Sequence, residues 1–283
     1  MRKFITMLLF CAGALVLSTS CNDDFTEINT PSATMQTRAR EQRVESLIQQ
    51  ARAGDSEAYK ALALCYRDGD GVKKSWCNMM FSYLIYCEKT GKDFKNIEEI
   101  VSEGHPYLLI VRTIDKPISR LAAKEKIAEL AQVAPAEAKA IEAVKDLKKI
   151  EDAIYRPDIH KALRQAEAEG SETAAMLLAF YLISKERSEE EEKAELIRIA
   201  DKYPYLYQLF DREYIDDCMD GSNIDKLQEM VDYYYRADAH AMLTPAHAGK
   251  LCVMRKRLEE AGIIAPDEVE TARLWSIMER KRN

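Results

Sequence analysis

The sequence predicts an all-α fold. Ten glycines and eight prolines are few for 283 residues, and both residue types interrupt regular structure. Apolar residues recur at offsets of three and four along much of the chain, which is the spacing of an amphipathic helix. No segment sustains the alternation of a half-buried strand, and the nearest candidate, 107–111, is short. With 47% hydrophobic residues, the chain is expected to be globular.

The N-terminus has the three parts of a signal peptide. Arg2 and Lys3 form a positive end, residues 4–17 are largely apolar, and small residues follow at 18–20. The apolar run is shorter than the about 20 residues that span a bilayer. We therefore expect residues 1–20 to be removed from the mature protein.

Cys21 follows this signal and is the candidate lipidation site. Residues 17–21 resemble the lipobox of bacterial lipoproteins, in which the cysteine is acylated and becomes the new N-terminus. Ser18 stands where the strict form has leucine, with Leu17 one residue earlier, and such looser forms resemble Bacteroidetes lipoproteins. Several acyl chains would give durable membrane anchoring with palmitate-type lipid. The alternative is plain secretion, with Cys21 an incidental thiol.

Residues 21–40 are expected to form a flexible, lipid-anchored tether, because they are polar and include Pro31. Asp23 and Asp24 resemble the acidic export tag of some surface lipoproteins, or they solvate the tether. We expect a location in the bacterial cell envelope, at the outer membrane. Whether the protein faces the periplasm or the surface stays open.

The strongest internal pattern lies at 53–91, where two apolar stripes flank a glycine turn. Asp55 is placed to cap the first helix, and Gly69 and Gly71 permit the positive φ angles that end it. The first stripe contains Ala58, Ala61, Leu62, Cys65 and Tyr66, and the second contains Trp76, Met79, Met80, Tyr83, Leu84 and Cys87. Two such helices joined by a tight turn form an αα-hairpin.

This block resembles a Sel1-like repeat, a relative of the tetratricopeptide repeat. The matching residues are Gly54, Asp55, Ala58, Leu62, Tyr66, Gly69, Gly71, Val72, Tyr83 and Cys87. Met79 replaces the usual alanine, and the cysteine that some members place a few residues after Cys87 is absent. The resemblance implies an αα-hairpin solenoid, in which each hairpin buries its stripe against its neighbours. It also implies a protein-interaction scaffold.

Two helical regions are expected, 41–157 with the clear repeat and 158–283 with two weaker echoes of it. One begins at Gly170 and continues through Glu172, Ala174, Leu178 and Leu182, and the other runs from Gly262 to Trp275. Between the repeats, Leu121 to Ala131 suggests a helix, and Pro135 suits the first position of the next one. The sequence around Pro157 breaks the pattern and is the best internal boundary.

Charge and cysteine content restrict the function. The net charge of −7 becomes −9 when Arg2 and Lys3 are removed, which argues against nucleic acid, because such binding depends on phosphate neutralisation. Five cysteines remain after Cys11 and Cys21 are accounted for, at positions 65, 77, 87, 218 and 252. Most are expected to be buried and reduced, and a bridge between two of Cys65, Cys77 and Cys87 is the alternative.

No catalytic, metal or cofactor motif emerges. The histidines, His105, His160, His240 and His247, have no metal-binding spacing, and no Gly-x-Ser-x-Gly, Walker loop or dinucleotide fingerprint occurs. Asp68 and Asp70 resemble part of a calcium loop but lack its later ligands, so turn chemistry explains them. The acidic run 189–192 is expected to be a solvated helix start, with a cation or partner patch as the alternative.

Tyr233, Tyr234 and Tyr235 are the candidate partner-binding residues. Three consecutive residues spread over about 200° of a helix, so at least one must leave the core, and exposed aromatics are common anchors for peptides. Core packing of two rings is the alternative. The leading hypothesis is a lipid-anchored scaffold for an unknown protein or peptide. The alternatives are an enzyme of cell-wall or glycan metabolism, or a purely structural envelope component.

Overall fold

The fold is helical throughout the part of the chain that the computed structural model describes. These residues are 33–101, 120–145, 156–183, 190–212 and 223–279, and they contain helices, turns and irregular segments without a strand. The all-α prediction is confirmed for them. The short strand candidate at 107–111 lies outside the described residues, as do Cys21 and the predicted signal.

Eleven α-helices and two 3-10 segments follow one another along the described residues. The α-helices are α1 (Ala33–Arg52), α2 (Ser56–Asp68), α3 (Trp76–Thr90), α4 (Arg120–Val133), α5 (Pro135–Val144), α6 (Pro157–Ala168), α7 (Glu172–Ile183), α8 (Glu190–Lys202), α9 (Ile224–Ala239), α10 (Pro245–Glu260) and α11 (Glu268–Met278). The 3-10 segments are η1 (Phe94–Glu99) and η2 (Pro204–Arg212).

Local sequence signals set several helix starts. The Asp55 side chain accepts a hydrogen bond from the Glu57 backbone N–H, which confirms the predicted cap of α2. Pro135 occupies the first turn of α5, where its missing N–H leaves no hydrogen bond unmade, again as predicted. Side-chain caps are also formed by Ser75 on α3, Ser171 on α7, Asn223 on α9, Thr244 on α10 and Asp267 on α11.

Helix α1 begins inside the segment that the sequence marks as a tether. Residues 33–40 are helical rather than flexible, so the tether prediction is wrong for them. Arg40 and Arg43 pair with Asp70 in the turn after α2, at 3.4 and 3.1 Å. These ion pairs, together with the good helix propensity of Ala, Gln, Arg and Glu, explain why the helix extends into the segment predicted to be a tether. High polarity here indicates an exposed helix, because the side chains at 35–43 are exposed.

Helices α2 and α3 form the predicted hairpin. Gly69 and Gly71 adopt φ angles of 75° and 78° in the turn that joins them. A Cβ on Gly71 would lie 2.4 Å from the Arg40 carbonyl oxygen, so α1 crosses directly over this turn. Both apolar stripes are buried, including Leu62 on α2 and Tyr83 on α3.

Most consecutive helices also pack against each other, and the two ends of the described fold meet. Helix pairs α1/α2, α4/α5, α5/α6, α6/α7, α7/α8, α9/α10 and α10/α11 are in contact, and η2 packs on α9. Helices α9 and α11 contact α1, and α10 contacts α3. In a linear repeat array each unit contacts only its neighbours, so these contacts differ from a simple stack. The main apolar cluster accordingly extends from Val44 to Ile277, across the predicted boundary at Pro157.

A buried lysine joins α3 to the end of α11. Lys89 is 1% exposed, and its Nζ donates to the backbone carbonyls of Ser276, Ile277 and Glu279 at 3.0, 2.8 and 3.2 Å. The last carbonyls of a helix lack partners within the helix and carry partial negative charge. The ammonium group therefore satisfies the end of α11, and the carbonyls compensate the burial of its charge.

A buried carboxylate joins α1, α9 and α11. Asp238 on α9 is 1% exposed and accepts hydrogen bonds from Arg52 at 3.0 and 3.2 Å. Arg273 on α11 donates to both oxygens of the same carboxylate, to Oδ1 at 3.1 Å and to Oδ2 at 2.8 Å, and it also pairs with Glu270. Two guanidinium groups thus stabilise one buried charge that would otherwise be costly.

The described cysteines carry free thiols. Cys65, Cys77 and Cys87 are buried and unbonded, so the alternative of a bridge among them is wrong in this structure. Cys252 is half-buried and free, and Cys218 lies outside the described residues. Burial raises the pKa of the Cys77 thiol well above its usual range, which makes it a poor nucleophile.

Gly54→Ala is expected to destabilise the fold by opening the contact between α11 and the start of α2. A Cβ at Gly54 would lie 2.5 Å from the Ser276 carbonyl oxygen, on a backbone with φ of 92°. Gly91→Ala is the matched control, because Gly91 has φ of 70° and nothing within 4 Å. Left-handed strain alone costs about 1–2 kcal/mol, and we expect Gly54→Ala to cost about 2 kcal/mol more. Urea unfolding measures both, and equal losses would contradict the contact.

Candidate functional site

The structure places the three consecutive tyrosines inside the fold. Tyr233 and Tyr234 are buried in the core, and Tyr233 also donates to the Glu229 carboxylate at 2.7 Å. The Tyr233 ring packs edge-on against Phe210, with centroids 4.8 Å apart. The partner-binding prediction is wrong for these two rings, because a buried ring offers no surface. The packing alternative describes them.

Tyr235 is half-buried and is held by another helix. Its hydroxyl accepts a hydrogen bond from the Arg255 guanidinium of α10, and that guanidinium lies 5.9 Å from the ring centroid. Burial raises the pKa of the Tyr235 hydroxyl to about 12. This ring therefore joins α9 to α10 rather than standing ready for a partner.

The residues of the predicted repeat motif form turns, a helix cap and part of the core. Gly54, Gly69 and Gly71 lie in turns, and Asp55 caps α2. Ala58, Leu62, Tyr66, Tyr83 and Cys87 are buried, and Val72 is half-buried against the core. The motif builds a hairpin and presents no chemical group to a ligand.

The polar residues considered as metal ligands are paired or dispersed. Asp68 binds Arg67 at 2.7 Å, and Asp70 binds the two arginines of α1. His247 Nδ1 lies 2.6 Å from the Thr244 hydroxyl, and His105 lies outside the described residues. No group of three or more His, Cys, Asp or Glu side chains in the described ranges is arranged to hold a metal. Glu190 begins α8, and Glu191 is exposed, as at a solvated helix start.

Two neighbouring carboxylates, the buried Glu137 and the half-buried Glu172, resemble an acid–base pair but act as helix caps. Glu137 accepts from the Ser171 hydroxyl at 2.7 Å and from the backbone N–H groups of Glu172 and Thr173 at 2.8 and 3.0 Å, at the start of α7. Glu172 in turn accepts from the Cys77 N–H at 2.8 Å, at the start of α3. Each carboxylate thus satisfies N–H groups that have no partner within their helix.

The electrostatics of this pair agree with a capping role. Burial raises the pKa of Glu172, and the neighbouring Glu137 adds to the rise, whereas the hydrogen bonds from Cys77 and Ser75 oppose it. The Trp76 indole N–H donates to Glu137 at 3.2 Å. These hydrogen bonds link α3, α5 and α7, so the pair stabilises the fold.

The candidate functional site is a surface notch beside Trp275 on α11. Its side chain is 55% exposed, although a large aromatic side chain is usually mostly buried. The notch has a volume of about 290 Å³, and its lining consists of Glu259, Pro266, Asp267, Glu268, Thr271, Ala272 and Trp275. We refer to these seven residues as the Trp275 notch.

The Trp275 notch follows from the way α11 is placed. Leu274 and Ile277 are buried in the core, so the opposite side of the helix faces outward. Glu268, Thr271, Ala272 and Trp275 lie at offsets of three, four and seven, which puts them on one outward face. The sequence contains this spacing, but it does not show which face of α11 is buried.

Comparison with known proteins does not assign the chain to a family. No protein-family model matches the chain, and neither curated proteins nor solved structures gave a significant match. None of the described helices is both long enough and apolar enough to cross a membrane. The function is therefore argued from the sequence and from the notch.

Glu172→Gln is expected to remove a pH-dependent loss of stability. Because the folded state raises the pKa of Glu172, the protonated carboxyl is favoured there. Stability is lost as pH rises from the ordinary value of 4.5 through the raised pKa. Glutamine retains an acceptor oxygen for the Cys77 N–H but carries no charge. Relative to wild type, this variant should gain stability between about pH 4 and about pH 8 in urea unfolding.

Glu172→Ala is the control for this prediction. Alanine removes the cap as well as the charge, so the variant should be less stable than wild type at both pH values, by about 1 kcal/mol or more. A constant difference between wild type and Glu172→Gln across the pH range would show that Glu172 carries no buried-charge cost.

Proposed function

We propose that the protein is a lipid-anchored scaffold of the bacterial cell envelope that binds a protein or peptide. The observation that carries this proposal is the Trp275 notch, a concave surface with an exposed aromatic side chain. Solvent-exposed aromatic residues are enriched among the energetically dominant residues of protein interfaces. In the described part of the chain, Glu137 and Glu172 serve as caps and Asp238 is held by Arg52 and Arg273, so these acids have structural roles.

The proposed anchor is the acylated Cys21. Its support is the preceding signal-like segment and the lipobox resemblance at 17–21. Because a single acyl chain binds membranes only marginally, durable attachment requires several chains, as on a lipoprotein cysteine. The helical part would then be held at the envelope through its N-terminal side, where α1 begins at Ala33.

The scaffold is proposed to be built from degenerate Sel1-like hairpins. The hairpin of α2 and α3, with Gly69 and Gly71 in its turn, supports this assignment, as do the later hairpins of α7 and α8 and of α10 and α11. Repeat proteins of this kind present extended surfaces to partners. The contact between α11 and α1 would hold the hairpins in one fixed arrangement.

Cys21→Ala is expected to abolish acylation. Cells grown with labelled palmitate should incorporate the label into the wild-type protein and not into the variant, because the acceptor thiol is missing. Cys252→Ala is the matched control, since Cys252 is the one described cysteine that is only partly buried. Equal labelling of wild type and Cys21→Ala would refute the anchor without affecting the notch.

A photo-crosslinking amino acid at position 275 is expected to capture a partner in intact envelopes. Benzoylphenylalanine preserves an aromatic ring at the notch, so binding should be retained. The control is the same amino acid at Val133 on α4, which is 56% exposed and therefore equally accessible. Adducts at 275 but not at 133 would support the scaffold. Identical adduct patterns at the two positions, or none at either, would count against it.

A further inference from the structure

We infer that the Trp275 notch binds a basic, amphipathic segment of the partner, with a lysine or arginine side chain laid over the indole ring. This inference rests on the proposed scaffold function and specifies the chemistry of its partner. Three observations carry it: the exposed ring, the charges around it, and the apolar wall beside it.

The charges around the notch are negative. Three of its seven lining residues are acidic, Glu259, Asp267 and Glu268, and no lysine or arginine lines it. Glu268 forms no ion pair within the described residues, whereas Glu259 pairs with Arg255 at 3.6 Å. Because Glu268 and Asp267 add further negative charge, a cationic side chain entering the notch would meet a net negative potential, which attracts it over a range of about 10 Å.

An anion is disfavoured at the same place. The N-terminus of a helix attracts anions when its N–H groups are free. At α11 the Asp267 side chain already accepts from the Glu270 N–H at 2.9 Å. Together with Glu268 in the first turn, it supplies the negative charge that the helix end favours, so a second anion would be repelled.

The apolar wall selects a side chain with a long hydrocarbon stem. Pro266, Ala272 and the Trp275 ring supply the wall, and lysine and arginine place their methylene groups on such surfaces while the charge remains in water. A cation over the face of tryptophan adds electrostatic attraction, which is strongest for this ring type. Ring, wall and carboxylates together fit one basic side chain with an apolar neighbour.

Other exposed apolar side chains on the helical hairpin that carries the notch favour an amphipathic partner over an isolated cation. Of the six large hydrophobic side chains that are exposed in the described residues, Val253, Ile263, Val269 and Trp275 belong to the hairpin of α10 and α11. An anionic bilayer is the less suitable occupant, because the notch and the chain as a whole are negatively charged.

The test uses the full-length protein in phosphatidylcholine nanodiscs, with empty nanodiscs as the blank. The probes are labelled peptides of about 12 residues, composed of Lys and Leu, of Glu and Leu, or of Lys and Gly, and binding is followed by fluorescence polarisation. The Lys–Leu peptide should bind tightest. Trp275→Ala should weaken it about tenfold, through loss of the cation–π contact and of packing.

Charge variants separate the notch from the general acidity of the protein. Glu268→Gln should weaken the Lys–Leu peptide about threefold at low salt, and added salt should reduce this effect. Glu191→Gln, which removes an exposed carboxylate from α8, should change nothing. Equal effects of these two substitutions, equal binding of the Glu–Leu peptide, or unchanged binding by Trp275→Ala would each overturn the inference.

Two further results would overturn the inference by identifying a different binding partner for the Trp275 notch. A blue shift of the Trp275 emission in phosphatidylglycerol nanodiscs, taken as wild type minus Trp275→Phe, would assign the notch to the membrane. Adducts at position 275 that join two copies of this chain would assign it to self-association.

The photo-crosslinking experiment distinguishes failure of this inference from failure of the scaffold. A partner captured at position 275 through an acidic segment would retain the scaffold and overturn the inference. Peptide binding without any envelope partner would support the chemistry of the notch and reject the scaffold.

Discussion

The arrangement of the described helices depends on the contact of α11 with the helices α1 to α3. Lys89 is buried there, and burial of an ammonium group is tolerated only when its charge and donors are satisfied. Three carbonyls at the end of α11 accept its hydrogen bonds, and the last carbonyls of a helix have no partners within the helix. The carbonyls therefore reduce the free-energy cost of burying the ammonium group, and the ammonium group reduces the cost of burying the carbonyls. This reciprocity makes the contact specific, because neither an apolar residue nor a helix end placed elsewhere would replace it.

The same contact explains features that a local repeat alone does not require. Gly54 belongs to the hairpin motif near the N-terminus, yet the group that leaves no room for a side chain there is Ser276 of the last described helix. Asp238 is stabilised by Arg52 and Arg273, which come from opposite ends of the described fold. In an open array, stability is approximately a sum of neighbouring interfaces. Here the terminal elements share buried charges, so we expect them to unfold together.

The sequence could predict what is decided locally. Asp55, the glycine turn and the apolar spacing of α2 and α3 each act within a few residues, and the structure confirms them. Partners that are distant in the sequence could not be predicted in this way. Lys89 ends a helix, where a lysine is commonly solvated, and its most distant partner, Glu279, lies 190 residues later. The tyrosine run misled for the same reason, since η2 and α10 cover its rings. Residues 33–40 were predicted to be a tether because they are polar, but they form a helix. An exposed helix can be as polar as a tether, so polarity alone does not separate the two.

Trp275 is exposed because the other faces of α11 pack against the core and against the Asp238 network. Leu274 and Ile277 face the core, while Glu270 and Arg273 face the Asp238 network, so three-residue and four-residue offsets leave Ala272 and Trp275 outside. The inner contacts hold α11 in place and leave the Trp275 ring 55% exposed beside Glu268. Aromatic side chains are enriched among the residues that dominate the binding energy of interfaces, so this face of α11 is where the proposed partner would bind.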